Sequence, residues 1–153
     1  MIDTPQIVHT EAITMAKLYA KVPTSQIQVE MGKLVQEVIG EVQKQGIAIT
    51  GPWFTHHFKR PDEFFDFEVC MPVATPISAA DRVQPGEWPA MKVVRTFYRG
   101  NYSGLPAAWG EFLQWTDKEG LQLSPEIWER YLVNPSSEND PDKWITEMNR
   151  PLL

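Results

Sequence analysis

The residues best placed to do chemistry are Trp128, Glu129 and Tyr131, a carboxylate set between large aromatic rings in a stretch patterned as a strand. Alternate residues of a strand share a face, so Ile127, Glu129 and Tyr131 point one way and Trp128, Arg130 and Leu132 the other. Arg130 is thereby turned away from Glu129 and is a poor partner for it. A carboxylate kept ionised among rings is costly unless something pairs with it. A cationic ligand would supply the missing charge, and the rings would stack on its flat body and add cation–π attraction. The competing assignments are a Lys or Arg from elsewhere in the chain, or a sheet edge where the carboxylate meets water.

The same alternation puts Trp53, Thr55 and His57 on one face of an earlier strand. His56 and His57 are adjacent and therefore face opposite ways, and with no third ligand in sight a metal site is not expected. No Ser/His/Asp arrangement, activated cysteine or phosphate-binding loop is present in the sequence. The single Cys70 excludes an intramolecular disulfide framework. No cofactor is expected. If the site hydrolysed its ligand, Glu129 would be the acid or would position water, and Glu147 is the candidate second carboxylate.

These residues sit in a chain of 153 residues with 42% hydrophobic content, the size of one ordinary domain. The formal charge of −6 argues against a broad nucleic-acid surface and is compatible with cationic partners. No apolar run is long enough to span a bilayer and no signal peptide opens the sequence, so a cytoplasmic protein is expected. Six tryptophans are many for this length. Such rings are core material first, and also suit a pocket for flat ligands.

The elements that must hold the site occur twice. A strand region over about residues 7–22 is followed by a helix with Ile27, Met31, Leu34, Val35, Val38 and Val42 at helical spacing, Thr24 or Ser25 as N-cap and Gly46 as stop. Two strands follow, around Trp53–Lys59 and Phe64–Ala74. A Pro/Gly-rich linker, 75–89, precedes the same order again: strand, helix, strand, strand. Gly46 matches Gly120, His57 matches Tyr131 and Pro61 matches Pro135, each 74 positions on. Glu68 matches Glu147 and Pro72 matches Pro151 at 79. The chain is thus expected to be one α+β domain over 1–153. It would consist of duplicated βαββ units with pseudo-two-fold symmetry, repeat 1 about 7–74 and repeat 2 about 90–153. Antiparallel sheets with two helices would leave a ligand groove between the halves.

By this correspondence Thr55 stands where Glu129 stands in the other half, so the groove should carry charge on one side only. Tyr98 and Tyr19, in the first strands, are candidates for its floor. On the second helix Leu105, Ala108, Trp109, Phe112, Leu113 and Thr116 recur at helical spacing. Trp109 and Phe112 are candidates for core or groove, as are Trp115 and Tyr102. Trp88 would either lid the groove or staple the linker down.

The run from Phe97 to Trp115, with Trp128–Pro135 and Ile145–Leu152, resembles the gyrase-inhibitor-like (GyrI-like) effector-binding family. That family includes ligand-sensing domains of some AraC-type and MerR-type regulators. The resemblance implies the duplicated fold and a cleft for bulky, hydrophobic, cationic aromatic compounds. It also implies a counter-charge from the aromatic-Glu-x-Tyr pattern, here Trp128, Glu129 and Tyr131. His57 departs from the tyrosine-like residue of that wall and makes it pH-sensitive. Without a helix-turn-helix, a standalone binder with no direct nucleic-acid contact is expected. A cyclopropane-opening hydrolase and a gyrase-binding interaction module are the alternatives that the resemblance carries.

Overall fold

The computed structural model describes residues 2–153 and contains one eight-stranded antiparallel sheet carrying two helices. In chain order the elements are β1 (Gln6–His9), β2 (Ile13–Pro23), α1 (Ile27–Lys44), β3 (Phe54–His57), β4 (Phe64–Pro72), β5 (Val83–Trp88), β6 (Lys92–Arg99), α2 (Leu105–Lys118), β7 (Ile127–Val133) and β8 (Ile145–Pro151). The sheet order is β1-β6-β8-β7-β3-β4-β2-β5. Each unit therefore contributes three neighbouring strands, β2, β4, β3 and β6, β8, β7, and the halves meet where β3 pairs with β7.

Two stretches differ from the sequence expectation. The first strand region divides into β1 and β2, and the 75–89 linker contains β5. These extra strands are exchanged between the halves: β1 precedes β2 but pairs with β6, whereas β5 precedes β6 but pairs with β2. Pro85 is accommodated because β5 lies at the sheet edge, where a missing N–H costs no ladder bond.

The strand register supports the duplication. Thr55 pairs with Glu129, Phe54 with Arg130 and His56 with Trp128. With the offset of 74, the last two pairs map onto each other and the first onto itself. The pseudo-two-fold axis consequently runs through the Thr55–Glu129 pair. Tyr19 pairs with Glu68 and Phe97 with Glu147, so the first strands correspond at an offset of 78.

Both helices lie on one face of the sheet. The apolar stripe of α1 buries Leu34, Val35, Val38 and Val42 against Leu18, Ala20, Phe67 and Val69. That of α2 buries Ala108, Trp109 and Phe112 against Val94, Tyr98 and Met148. Each helix ends the same way. Gly46 and Gly120 both have φ +69, with Ile47 N–H donating to the Val42 carbonyl and Leu121 N–H to that of Thr116. This is the left-handed stop that glycine adopts without steric penalty. At the start of α1 the expected side-chain cap is absent: a short 3-10 turn, Thr24–Gln26, intervenes, and the Thr24 hydroxyl donates to the Asp62 carbonyl at 2.6 Å.

Candidate functional site

Between the two apolar cores the central strands present polar groups on the helix-bearing face. Thr55, His57, Glu129 and Tyr131 lie there, all at most 7% exposed. They form a chain of contacts. Tyr131 Oη is 2.9 Å from Thr55 Oγ1, which is 3.0 Å from His57 Nε2. His57 Nε2 is in turn 3.3 Å from Glu129 Oε1. The His57–Glu129 contact is diagonal, because His57 pairs directly with Ile127 and Glu129 with Thr55. Among the described residues, two atoms of this network have no hydrogen-bond partner, Glu129 Oε2 and His57 Nδ1. An unpartnered carboxylate oxygen in a seam this buried is an unusual cost, since buried polar atoms are nearly always satisfied.

An aromatic cluster built on Tyr131 adjoins the carboxylate. Trp53 packs on Tyr131 with centroids 4.6 Å apart, Tyr102 meets Tyr131 edge-on at 5.9 Å, and Trp144 lies 4.8 Å from Tyr102. Burial, reinforced by the nearby Glu129 charge, pushes the Tyr102 hydroxyl up to about 12. The same two causes drive Tyr131 well above the ordinary tyrosine value, against a smaller opposing effect of its Thr55 hydrogen bond. Both phenols are therefore neutral near pH 7. His57 is flanked by phenyl rings, Phe67 at 5.4 Å and Phe65 at 5.6 Å. Two surface hollows, of about 180 Å³ beside Gly40 and Asp81 and about 140 Å³ beside Asp3 and Arg95, lie away from this seam.

The chain matches the model of the GyrI-like small molecule binding domain over residues 3–152. It belongs to the GyrI-like family. No curated protein sequence matches it. Among solved structures, the EcmrR C-terminal domain is similar at 22% identity and TM-score 0.84, covering 98% of this chain and 97% of that one. EcmrR in its DNA complex gives 23% identity and TM-score 0.86, covering 97% of this chain. The GyrI-like chain spans only 57% of that longer protein. SAV2435 bound to tetraphenylphosphonium is similar at 12% identity and TM-score 0.71, covering 99% of this chain and 94% of that one. At these identities the likeness establishes the shared fold.

Other sequence candidates of this GyrI-like chain fall elsewhere. Trp109 and Phe112 are buried in the α2 core, with Trp115 packed at its margin. Tyr98 belongs to the same core, and its hydroxyl donates to the Asn101 carbonyl at 2.7 Å. Tyr19 is on the opposite face of the sheet, half exposed, and donates to Asp66. The offset of 78 explains this: Tyr19 corresponds to Phe97 and Tyr98 to Ala20, so the two tyrosines are one residue out of step. Trp88 is fully buried on that opposite face, stacked 4.5 Å from Trp128. It is a staple, not a lid.

Glu147 does not join Glu129. It pairs with Arg130 through two 2.8 Å bonds and with Arg95 at 3.2 Å, on the face away from the helices. The alternation that separates Arg130 from Glu129 delivers Arg130 to Glu147. The other half repeats the arrangement at corresponding positions, with Glu68 contacting His56 at 3.0 Å and Lys17 at 3.1 Å. Glu126 approaches the second nitrogen of His56 at 2.7 Å. Sequence reasoning weighs His56 only as a metal ligand and does not name Trp144; the 79-residue match of Glu68 with Glu147 is the signal that puts His56 in the position Arg130 holds in the other half. Among the described residues, no three His, Cys, Asp or Glu side chains gather as a metal would require. No helix among them is long and apolar enough to cross a membrane.

Proposed function

We propose that this GyrI-like domain binds bulky, hydrophobic, cationic aromatic molecules over the β3–β7 seam, with Glu129 as counter-charge. The observation that carries the proposal is the buried Glu129 Oε2 with no partner, rimmed by rings. Ionised and without a partner it would be destabilising, and a cation beside it removes that penalty. Tyr131, Trp53 and Tyr102 supply the stacking faces and His57 the polar wall. Trp144 extends the rim, while Trp109, Phe112 and Trp115 support the α2 side. Charge selects the sign of the ligand and the rings impose little directional geometry, so several unlike cations can share the site. This is the multidrug-type behaviour expected of a sequestering or sensing protein. That SAV2435 takes tetraphenylphosphonium supports the ligand class.

Tetraphenylphosphonium and flat cationic dyes, titrated by tryptophan fluorescence against wild type and Glu129→Gln, test the proposal. Micromolar binding with a loss of about 1–3 kcal/mol in the variant is expected. Equal binding by both proteins would make Glu129 structural. The ligand should be recovered chemically intact after overnight incubation, because Glu147 is engaged by two arginines and leaves Glu129 without a second carboxylate.

A further inference from the structure

We propose that His57 makes this site a proton-for-cation exchanger: the Glu129–His57 pair holds one proton when empty and releases it when a cation binds. The inference rests on the cation-binding reading above and concerns what balances Glu129 before the ligand arrives.

Net charge in a buried seam decides which state the pair adopts. Glu129 is 6% exposed and His57 1%. An ionised Glu129 beside a neutral His57 would leave an uncompensated charge there, which is the most expensive state available. One added proton, on either partner, brings the pair to zero.

Among the described residues, the neighbours named by their contacts offer no alternative. From β3 comes the Thr55 hydroxyl, and from β4 come the phenyl rings of Phe65 and Phe67. From β7 comes Tyr131, from β8 the cross-strand partner Met148, and from the 3-10 turn before α2 comes Tyr102. Tyr131 and Tyr102 are held neutral by burial and by Glu129 itself. The other basic groups of the central strands, Arg130 and His56, are on the other side of the sheet with glutamates of their own. The proton therefore belongs to the pair and not to either member alone.

When a permanent cation lands beside Glu129 Oε2, the balancing charge is supplied from outside and the pair's proton becomes surplus. A cation and a proton together would leave the seam with excess positive charge. The proton leaves to solvent, so the site is neutral before and after. His57 is the residue that shares this proton with Glu129, through the 3.3 Å contact between its Nε2 and Glu129 Oε1. Lowering the pH fills the pair and competes with the ligand. Raising it empties the pair and favours binding.

Tetraphenylphosphonium is the suitable probe because it has no proton of its own to give or take. Calorimetric titration of the full chain in buffers of different ionisation enthalpy counts the protons released. The expected result is approximately one proton per cation on the acid side, with affinity rising toward roughly tenfold per pH unit and then levelling off. Neutral triphenylphosphine oxide should release none.

His57→Tyr, which copies the residue of the other half, removes the shared proton site and should lower the number of protons released per cation. Glu129-dependent binding with no proton count at any pH would overturn the exchange and leave the cation site standing. Unchanged proton release in His57→Tyr would remove His57 from the mechanism. No binding at any pH would overturn both the cation site and the exchange.

Discussion

Glu68 shows how much a single side chain can be asked to do on the face away from the helices. Burial pushes its carboxyl up, but hydrogen bonds from His56 and Lys17 together outweigh this and hold it below the ordinary value of 4.5. A carboxylate depressed in the folded state contributes stability that is complete above the unfolded value and is lost as the pH falls through the folded one. Glu68→Gln should therefore be less stable than wild type by about 1–2 kcal/mol near pH 6, with the gap shrinking toward about pH 3. Urea midpoints at the two pH values measure this, and a gap independent of pH would mean that Glu68 acts through shape alone. At this scale the sequence is partly transparent. Alternation along one strand was enough to separate Arg130 from Glu129. It could not supply the partners, because His57–Glu129 and Arg130–Glu147 join residues of different strands and depend on register. Glu129 is legible as isolated, His57 as its neighbour only once β3 and β7 are aligned.

At the level of elements, the 3-10 turn Tyr102–Gly104 ties the aromatic rim to the second core. A methyl group at Gly104 would run into the Tyr98 hydroxyl, and moving the ring aside would pull that hydroxyl from its bond to Asn101. Gly104→Ala should cost about 1–3 kcal/mol, the usual range for overpacking a filled core. Adding Tyr98→Phe should recover part of that loss by removing the obstructing oxygen. If the double variant is no better than the sum of its parts, the two residues are not in contact in solution. The helices and inner strands could be read from apolar spacing and from glycine and proline punctuation. β5 could not, because Pro85 and Gly86 are turn residues in most settings and only an edge position makes them compatible with a strand. The tyrosines of the first strands misled for a related reason. Between Tyr19 and Tyr98 lies the extra strand with its own connections, and no fixed glycine or proline anchors the comparison at 78 instead of 79.

For the whole molecule, the exchange of β1 and β5 matters most. Each half completes the other's outer edge, and β3–β7 joins them at the centre. Neither half can be lifted out without baring a strand edge in both, so the two should unfold together. Far-UV circular dichroism and tryptophan fluorescence should give superimposable urea transitions, and two separated steps would show that the halves are independent. The pseudo-two-fold axis through Thr55 and Glu129 has a further consequence. Two copies of a single unit, assembled symmetrically, would set the same residue on both sides of that axis: glutamate against glutamate, which repel, or threonine against threonine, which attract no cation. Joining both units in one polypeptide frees the two positions to differ. The lopsided charge at the centre of this sheet is something only a fused chain can encode.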